Sequence, residues 1–121
     1  MVLVAVRDLL FGSKIDAAAK RLGLELTWAP RNVPLSTVAL DRRPSAIIAD
    51  LGESGVLGEL RVVRAQVPAT RVVGFLGHLR TDLMDEARAI GVEEVLTRGQ
   101  LAARMDDVLL DCAGRRGGGN A

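Results

Sequence analysis

The residue best placed for chemistry in this 121-residue chain is Asp50. It ends the run Ala46-Ile47-Ile48-Ala49-Asp50 and precedes Leu51 and Gly52, so a carboxylate closes a stretch of small and β-branched apolar residues. Such a run predicts a strand buried on both faces, at the centre of a parallel sheet. Open α/β sheets bind ligands outside the carboxyl ends of their strands, which makes Asp50 a candidate acceptor or metal ligand. The other candidates sit at equivalent places. Arg7 and Asp8 follow the apolar run Val2 to Val6, Gly77 and His78 follow Arg71 to Leu76, and Thr97 and Arg98 follow Val92 to Leu96. Carboxylates can hold a hard cation, and a guanidinium can fork onto a carboxylate or a phosphate.

Each candidate also has a plainer role. Asp50 can cap its own loop, or pair with Arg7 or Arg98. Asp8 can cap the first helix, a role compatible with metal binding. His78, the one histidine, reads as a solvated loop residue set against a general base or a phosphohistidine. Cys112 fits an apolar helical stripe and suits packing better than redox chemistry. The glycines of residues 52–58 are weak evidence for a phosphate cradle, because no P-loop lysine follows them.

The elements that must position these residues follow from periodicity. Strands are predicted over Val2 to Val6, Leu24 to Trp28, residues 46–51, Arg71 to Leu76 and Val92 to Leu96. The second is short and more polar, as an edge strand would be. Phe11, Ile15, Ala18, Ala19 and Leu22 form one helical face, closed by Gly23. Leu35 to Arg42 makes two turns ended by Pro44. Val56, Leu60, Val63 and Val67 mark a helix stopped by Pro68. Asp82 is expected to cap a helix with Leu83, Ala87 and Ile90 inward and Gly91 at its end. Leu101, Met105, Val108, Leu109 and Cys112 form one last stripe. Five strands alternating with five helices predict a doubly wound α/β fold, with a five-stranded parallel sheet of order 2-1-3-4-5. Its switch point falls between strands one and three, beside Arg7, Asp8 and Asp50.

Composition narrows the function classes. A net charge of +1 shows no bias toward nucleic acid or an anionic membrane, and 2% aromatic content gives no stacking platform for bases. One cysteine and one histidine make neither an intramolecular disulfide nor a metal cluster. No apolar run approaches a membrane span, and no secretory leader is evident, so the expected location is cytoplasmic. The domain is expected over residues 1–112, with 113–121 as a flexible tail.

Residues 2–112 resemble a response-regulator receiver domain, a flavodoxin-like fold. Pro44-Ser45-Ala46-Ile47-Ile48-Ala49-Asp50-Leu51 is similar to the phosphoacceptor strand, and Gly91-Val92-Glu93-Glu94-Val95-Leu96-Thr97-Arg98 to the fifth strand and its lead-in. The resemblance implies Asp50 as phosphoacceptor, Mg2+ held by Asp8, Asp50 and the Gly52 carbonyl, and a histidine kinase in a two-component phosphorelay.

The departures from that pattern are as informative. Arg7 stands where the first acidic residue is expected, Arg98 replaces a lysine and Gly99 a proline. Leu76 and Gly77 offer no hydroxyl, and Val95 stands for the usual aromatic. A guanidinium beside Asp50 would take over part of a metal's electrostatic role without its open coordination sites. The expectation is therefore a stand-alone, degenerate receiver-like signalling module, not an enzyme. Phosphorylation would be absent or weak, with no cofactor, although Mg2+ is what a working site would need. Arg7 and Arg98 would contact a carboxylate or phosphate, with Gly77 and His78 at the rim. Its partner would be a protein, either a kinase, a separate output protein or a second copy, and not nucleic acid or membrane. Two alternatives stand beside this reading. One is a working receiver phosphorylated on Asp50. The other is a small flavin- or nucleotide-binding protein, disfavoured because Arg7 to Ser13 lacks a hydroxyl-rich phosphate loop.

Overall fold

The computed structural model describes residues 1–114. Its strands are β1 (Val2–Ala5), β2 (Leu26–Trp28), β3 (Ala46–Asp50), β4 (Arg71–Leu76) and β5 (Glu94–Thr97). Its helices are α1 (Leu9–Leu22), α2 (Leu35–Arg42), α3 (Val56–Gln66), α4 (Thr81–Ala89), α5 (Arg98–Ala103) and α6 (Met105–Cys112). All the pairings are parallel, and the order is β2-β1-β3-β4-β5, as the alternation predicts.

The continuous apolar runs are explained by two cores. Alternate residues of each central strand face opposite sides of the sheet. Val2, Val4, Ala46, Ile48, Val73 and Phe75 pack with α1, α5 and α6. Leu3, Ile47, Ala49, Val72 and Leu76 pack with α2, α3 and α4. Each fully buried large side chain on either face contributes roughly 1.5–3 kcal/mol. Gly74 lies in β4 where a side chain has no room. A Cβ there would stand 2.6 Å from Leu51 Cδ2, so the missing side chain lets Leu51 lie down over the sheet just past Asp50. Gly23 closes α1 with φ 71°, the left-handed cap its position predicts.

Four expectations need correction. Asp82 does not cap α4: the helix starts at Thr81, and Asp82 sits in its first turn, bound to the Arg80 guanidinium at 3.1 and 2.9 Å. The last stripe is not one helix, because Arg104 (φ −113°, ψ 22°) breaks it into α5 and α6. Its side chain reaches Glu94 of β5 at 3.0 Å, and all five stripe residues stay buried across the break. Strand β5 begins at Glu94, because the Glu93 carboxylate accepts the Val72 amide at 2.8 Å and ties that corner sideways. Strand β2 is shorter than its apolar pattern, with Leu24 packed outside it against the α1 core. Of the expected tail, Ala113 and Gly114 close α6, and the remainder, including Arg115-Arg116-Gly117-Gly118-Gly119, lies outside the described residues. No helix among the described residues is long and apolar enough to cross a membrane.

Candidate functional site

The β1–β3 register, with Ala5 opposite Ala49, brings Arg7 and Asp8 out of the sheet beside the end of β3. On the other side Asp50 pairs with Phe75 and Leu76 pairs with Thr97, so Arg98 leaves the sheet at the same end. The topology therefore gathers Arg7, Asp8, Asp50, Gly77 and Arg98 at one rim. His78 sits farther along the exposed loop before α4.

Asp50 makes a short-range contact. Its Oδ1 accepts the Gly52 amide at 2.9 Å, which turns the chain away from β3. Arg7 does not turn to Asp50. Its backbone amide donates to Glu53 Oε2 at 2.9 Å, and its Nε lies 3.6 Å from Glu53 Oε1. The strap thus runs from the end of β1 to the loop after β3.

Asp8 caps α1, with Oδ1 accepting the amides of Leu10 at 3.0 Å and Phe11 at 3.2 Å. Its other oxygen faces Arg98, Nη2 to Oδ2 at 3.5 Å. Arg98 is engaged on a second side as well. Its guanidinium carbon stands 5.5 Å from the Phe11 ring centroid, a cation–π distance. Phe11 in turn packs on Phe75, with ring centroids 5.0 Å apart. A Cβ on Gly77 would come within 3.4 Å of that guanidinium, so the absence of a side chain there makes room for Arg98. Thr97 begins α5 with a capping box: its hydroxyl accepts the Gln100 amide at 3.1 Å and Gln100 Oε1 accepts the Thr97 amide at 2.9 Å.

Mg2+ demands near-octahedral oxygen ligation, so its donors must converge. Here Asp8 is engaged by two amides and a guanidinium, Asp50 by Gly52, and Glu53 by Arg7. Among the described residues no three His, Cys, Asp or Glu side chains come together as a cation site. In this arrangement the carboxylates of Asp8 and Glu53 are each turned to a guanidinium.

Glu53, Phe75 and Gly74 are not singled out by sequence reasoning, and Phe11 enters it only as part of a helical core face. Gly74 had a signal, since a glycine inside a strand marks a close approach. Glu53 had none beyond its place in a glycine-rich loop, because its partner is the amide of a residue 46 positions away.

No protein-family model and no curated protein matches the sequence. Solved structures do match. The chain is similar to the signal receiver domain of the putative response regulator NarL from Mycobacterium tuberculosis, with a TM-score of 0.77 at 20% identity, covering 95% of this chain and 96% of that one. The chain has the receiver fold. It is also similar to a LuxR-family DNA-binding response regulator from Staphylococcus aureus, with a TM-score of 0.75 at 14% identity over 92% of this chain and 96% of that one. The phosphorylated cyanobacterial phytochrome response regulator RcpA gives a TM-score of 0.73 at 13% identity, with 90% of each chain covered. Within the receiver fold, Asp50 ends the central strand and Arg98 opens α5 directly after the last one.

Proposed function

We propose that this chain is a degenerate receiver-like signalling module that works by binding proteins, with phosphorylation of Asp50 weak or absent. The observation that carries this reading is the Arg98–Asp8 pair, which joins the cation of one side of the pocket to the carboxylate a metal would need on the other. Arg7 adds to it by engaging Glu53. A rim whose Asp8 and Glu53 carboxylates already face guanidinium groups has less attraction for a divalent cation. Catalysis at this rim is not part of the proposal; the activity is recognition, by a kinase, a separate output protein or a second copy, in the cytoplasm. Leu79, 70% exposed at the head of α4, gives the α4 side an apolar contact point.

The test is a proton–nitrogen NMR titration with Mg2+ and then beryllofluoride, a mimic of the phosphoryl group on aspartate. The proposal expects amides of Asp8, Asp50, Gly52 and Arg98 to stay in place through both additions. Saturable shifts at those residues, dependent on both reagents and lost in Asp50→Asn, would establish the alternative: a working receiver in which Mg2+ displaces Arg98 from Asp8.

A further inference from the structure

Leu9, Gly12 and Asp16 recur at helical spacing, so with the cap Asp8 they lie along one flank of α1. That flank faces Trp28 at the end of β2, and an open cavity of about 310 Å3 lies between them. Val6, just past β1, lines it as well. Ligand pockets range over about 300–1,000 Å3, and open α/β sheets bind their ligands at this end. Neither Asp50 nor Arg98 is among the lining residues.

Two features of the walls stand out. Leu9 is 83% exposed and Trp28 39% exposed, so two large apolar groups border the same cavity from opposite elements. A glycine inside a helix costs stability relative to alanine, yet Gly12 sits within α1. A Cβ there would stand 3.2 Å from Trp28 Cη2, tight enough to push the ring away. The glycine thus lets the indole close against α1 and form a wall.

The charge of the lining has one sign. Asp8 and Asp16 both line the cavity, and no basic residue does. Asp8 is committed elsewhere, with Oδ1 capping α1 and Oδ2 facing Arg98. Asp16 meets Lys20 at 3.0 Å, one turn along the helix, in a pair whose lysine is 77% exposed. Lys20 is itself an alkylammonium, and an exposed pair of this kind exchanges partners at little cost. An indole face attracts the same class of ion through its π-cloud. We infer that this cavity is a binding site for a small organic cation, an ammonium head on a compact apolar body. Asp16 supplies the counter-charge, and Trp28 and Leu9 cover the body. The inference is independent of the fate of Asp50.

Two pairs of probes test it on the full chain at constant ionic strength: choline against its uncharged carbon isostere dimethylbutanol, and butylammonium against butanol. Trp28 is the one tryptophan of the chain, so its indole N–H gives a single resonance in a proton–nitrogen NMR spectrum. At least one cation should shift that resonance and amides of residues 6–16 saturably, with Kd in roughly the millimolar range expected of such fragments. Its neutral partner should bind about fivefold more weakly, as one exposed ion pair and one exposed cation–π contact imply. Asp16→Asn should weaken the cation about threefold and leave the neutral partner unchanged. Lys20→Met removes the internal competitor and should leave the cation bound equally or more tightly. A retained spectrum will show that each variant folds. Which cation responds separates a quaternary from a primary ammonium as the ligand class. Absence of saturable shifts for both cations, equal binding of cation and neutral partner, indifference to Asp16→Asn, or weaker binding in Lys20→Met would each overturn the site.

Discussion

At the amino-terminal end of the sheet, several polar side chains bind the backbone of distant segments, whereas at the carboxyl end they mostly cap nearby turns or meet in partly exposed ion pairs. Thr70, 2% exposed, donates its hydroxyl to the Pro44 carbonyl at 2.9 Å. Ser45 Oγ lies 3.0 Å from the Met1 carbonyl and 2.8 Å from that of Cys112, its one proton serving either. Arg64 donates to the Thr70 carbonyl, and Glu93 accepts the Val72 amide. Arg98 and Asp8 at the other end meet in a half-exposed pair, and the cavity opens beside Asp8. Buried bonds to backbone acceptors are costly to break, while exposed ion pairs rearrange at little cost. The base of the sheet thus holds the fold together, and its rim is the more adaptable end.

Thr70→Val gives the sharpest test of that division. It keeps the shape of the side chain and leaves the buried Pro44 carbonyl without its donor, which should cost about 1–3 kcal/mol. Chemical denaturation should show a lower midpoint with an unchanged slope. A loss below about 0.5 kcal/mol would mean that the base is no stiffer than the rim.

Cys112 extends the test with pH. Burial pushes its thiol up from 9.0 to about 12, because the thiolate would have to form away from water. The folded chain therefore holds this proton more tightly than the unfolded one. The resulting stability is complete below pH 9, and is lost as pH rises toward about 12. Comparing wild type with Cys112→Ala across that window isolates the effect: the variant should lack this component of the alkaline loss. The wild-type thiol should also resist disulfide reagents at pH 8 until the chain unfolds.

Asp8 belongs to the rim but combines both kinds of bond. Asp8→Ala removes the cap of α1 and should cost about 1 kcal/mol. Asp8→Asn keeps a capping oxygen and loses only the charge facing Arg98, so thermal melts should recover most of the difference. An Asn variant as damaged as the Ala variant would show that the ion pair, not the cap, carries the stability.

This division also explains what could be read in the sequence. Strand order and the two-sided burial of Ala46 to Ala49 followed from runs of apolar residues, since burial is a local pattern repeated along the chain. The roles of Asp8 and Asp50 as caps of their own loops were likewise legible, for their partners lie two or three residues away. The identity of the ion pairs was not. Arg7 chose Glu53 over Asp50, a choice set by how the β3–α3 loop folds back over β1. The break at Arg104 was hidden for a related reason: the apolar stripe of α5 and α6 continues through it, and the cause is a contact with Glu94 in another element.

The smallest effect should come from Arg7. Its guanidinium is 57% exposed and meets Glu53 at 3.6 Å, a geometry that seldom yields measurable stability. Arg7→Gln should change the unfolding free energy by less than about 0.5 kcal/mol. The strap itself should survive, because its shorter bond runs from the Arg7 backbone amide to the carboxylate at 2.9 Å and does not need the guanidinium. Hydrogen exchange at that amide makes the distinction visible. Exchange should stay slow in Arg7→Gln and accelerate in Glu53→Ala, where the acceptor is gone. Acceleration in both would show that the guanidinium positions Glu53, and that even the loosest pair of the rim has a structural share like that of the base.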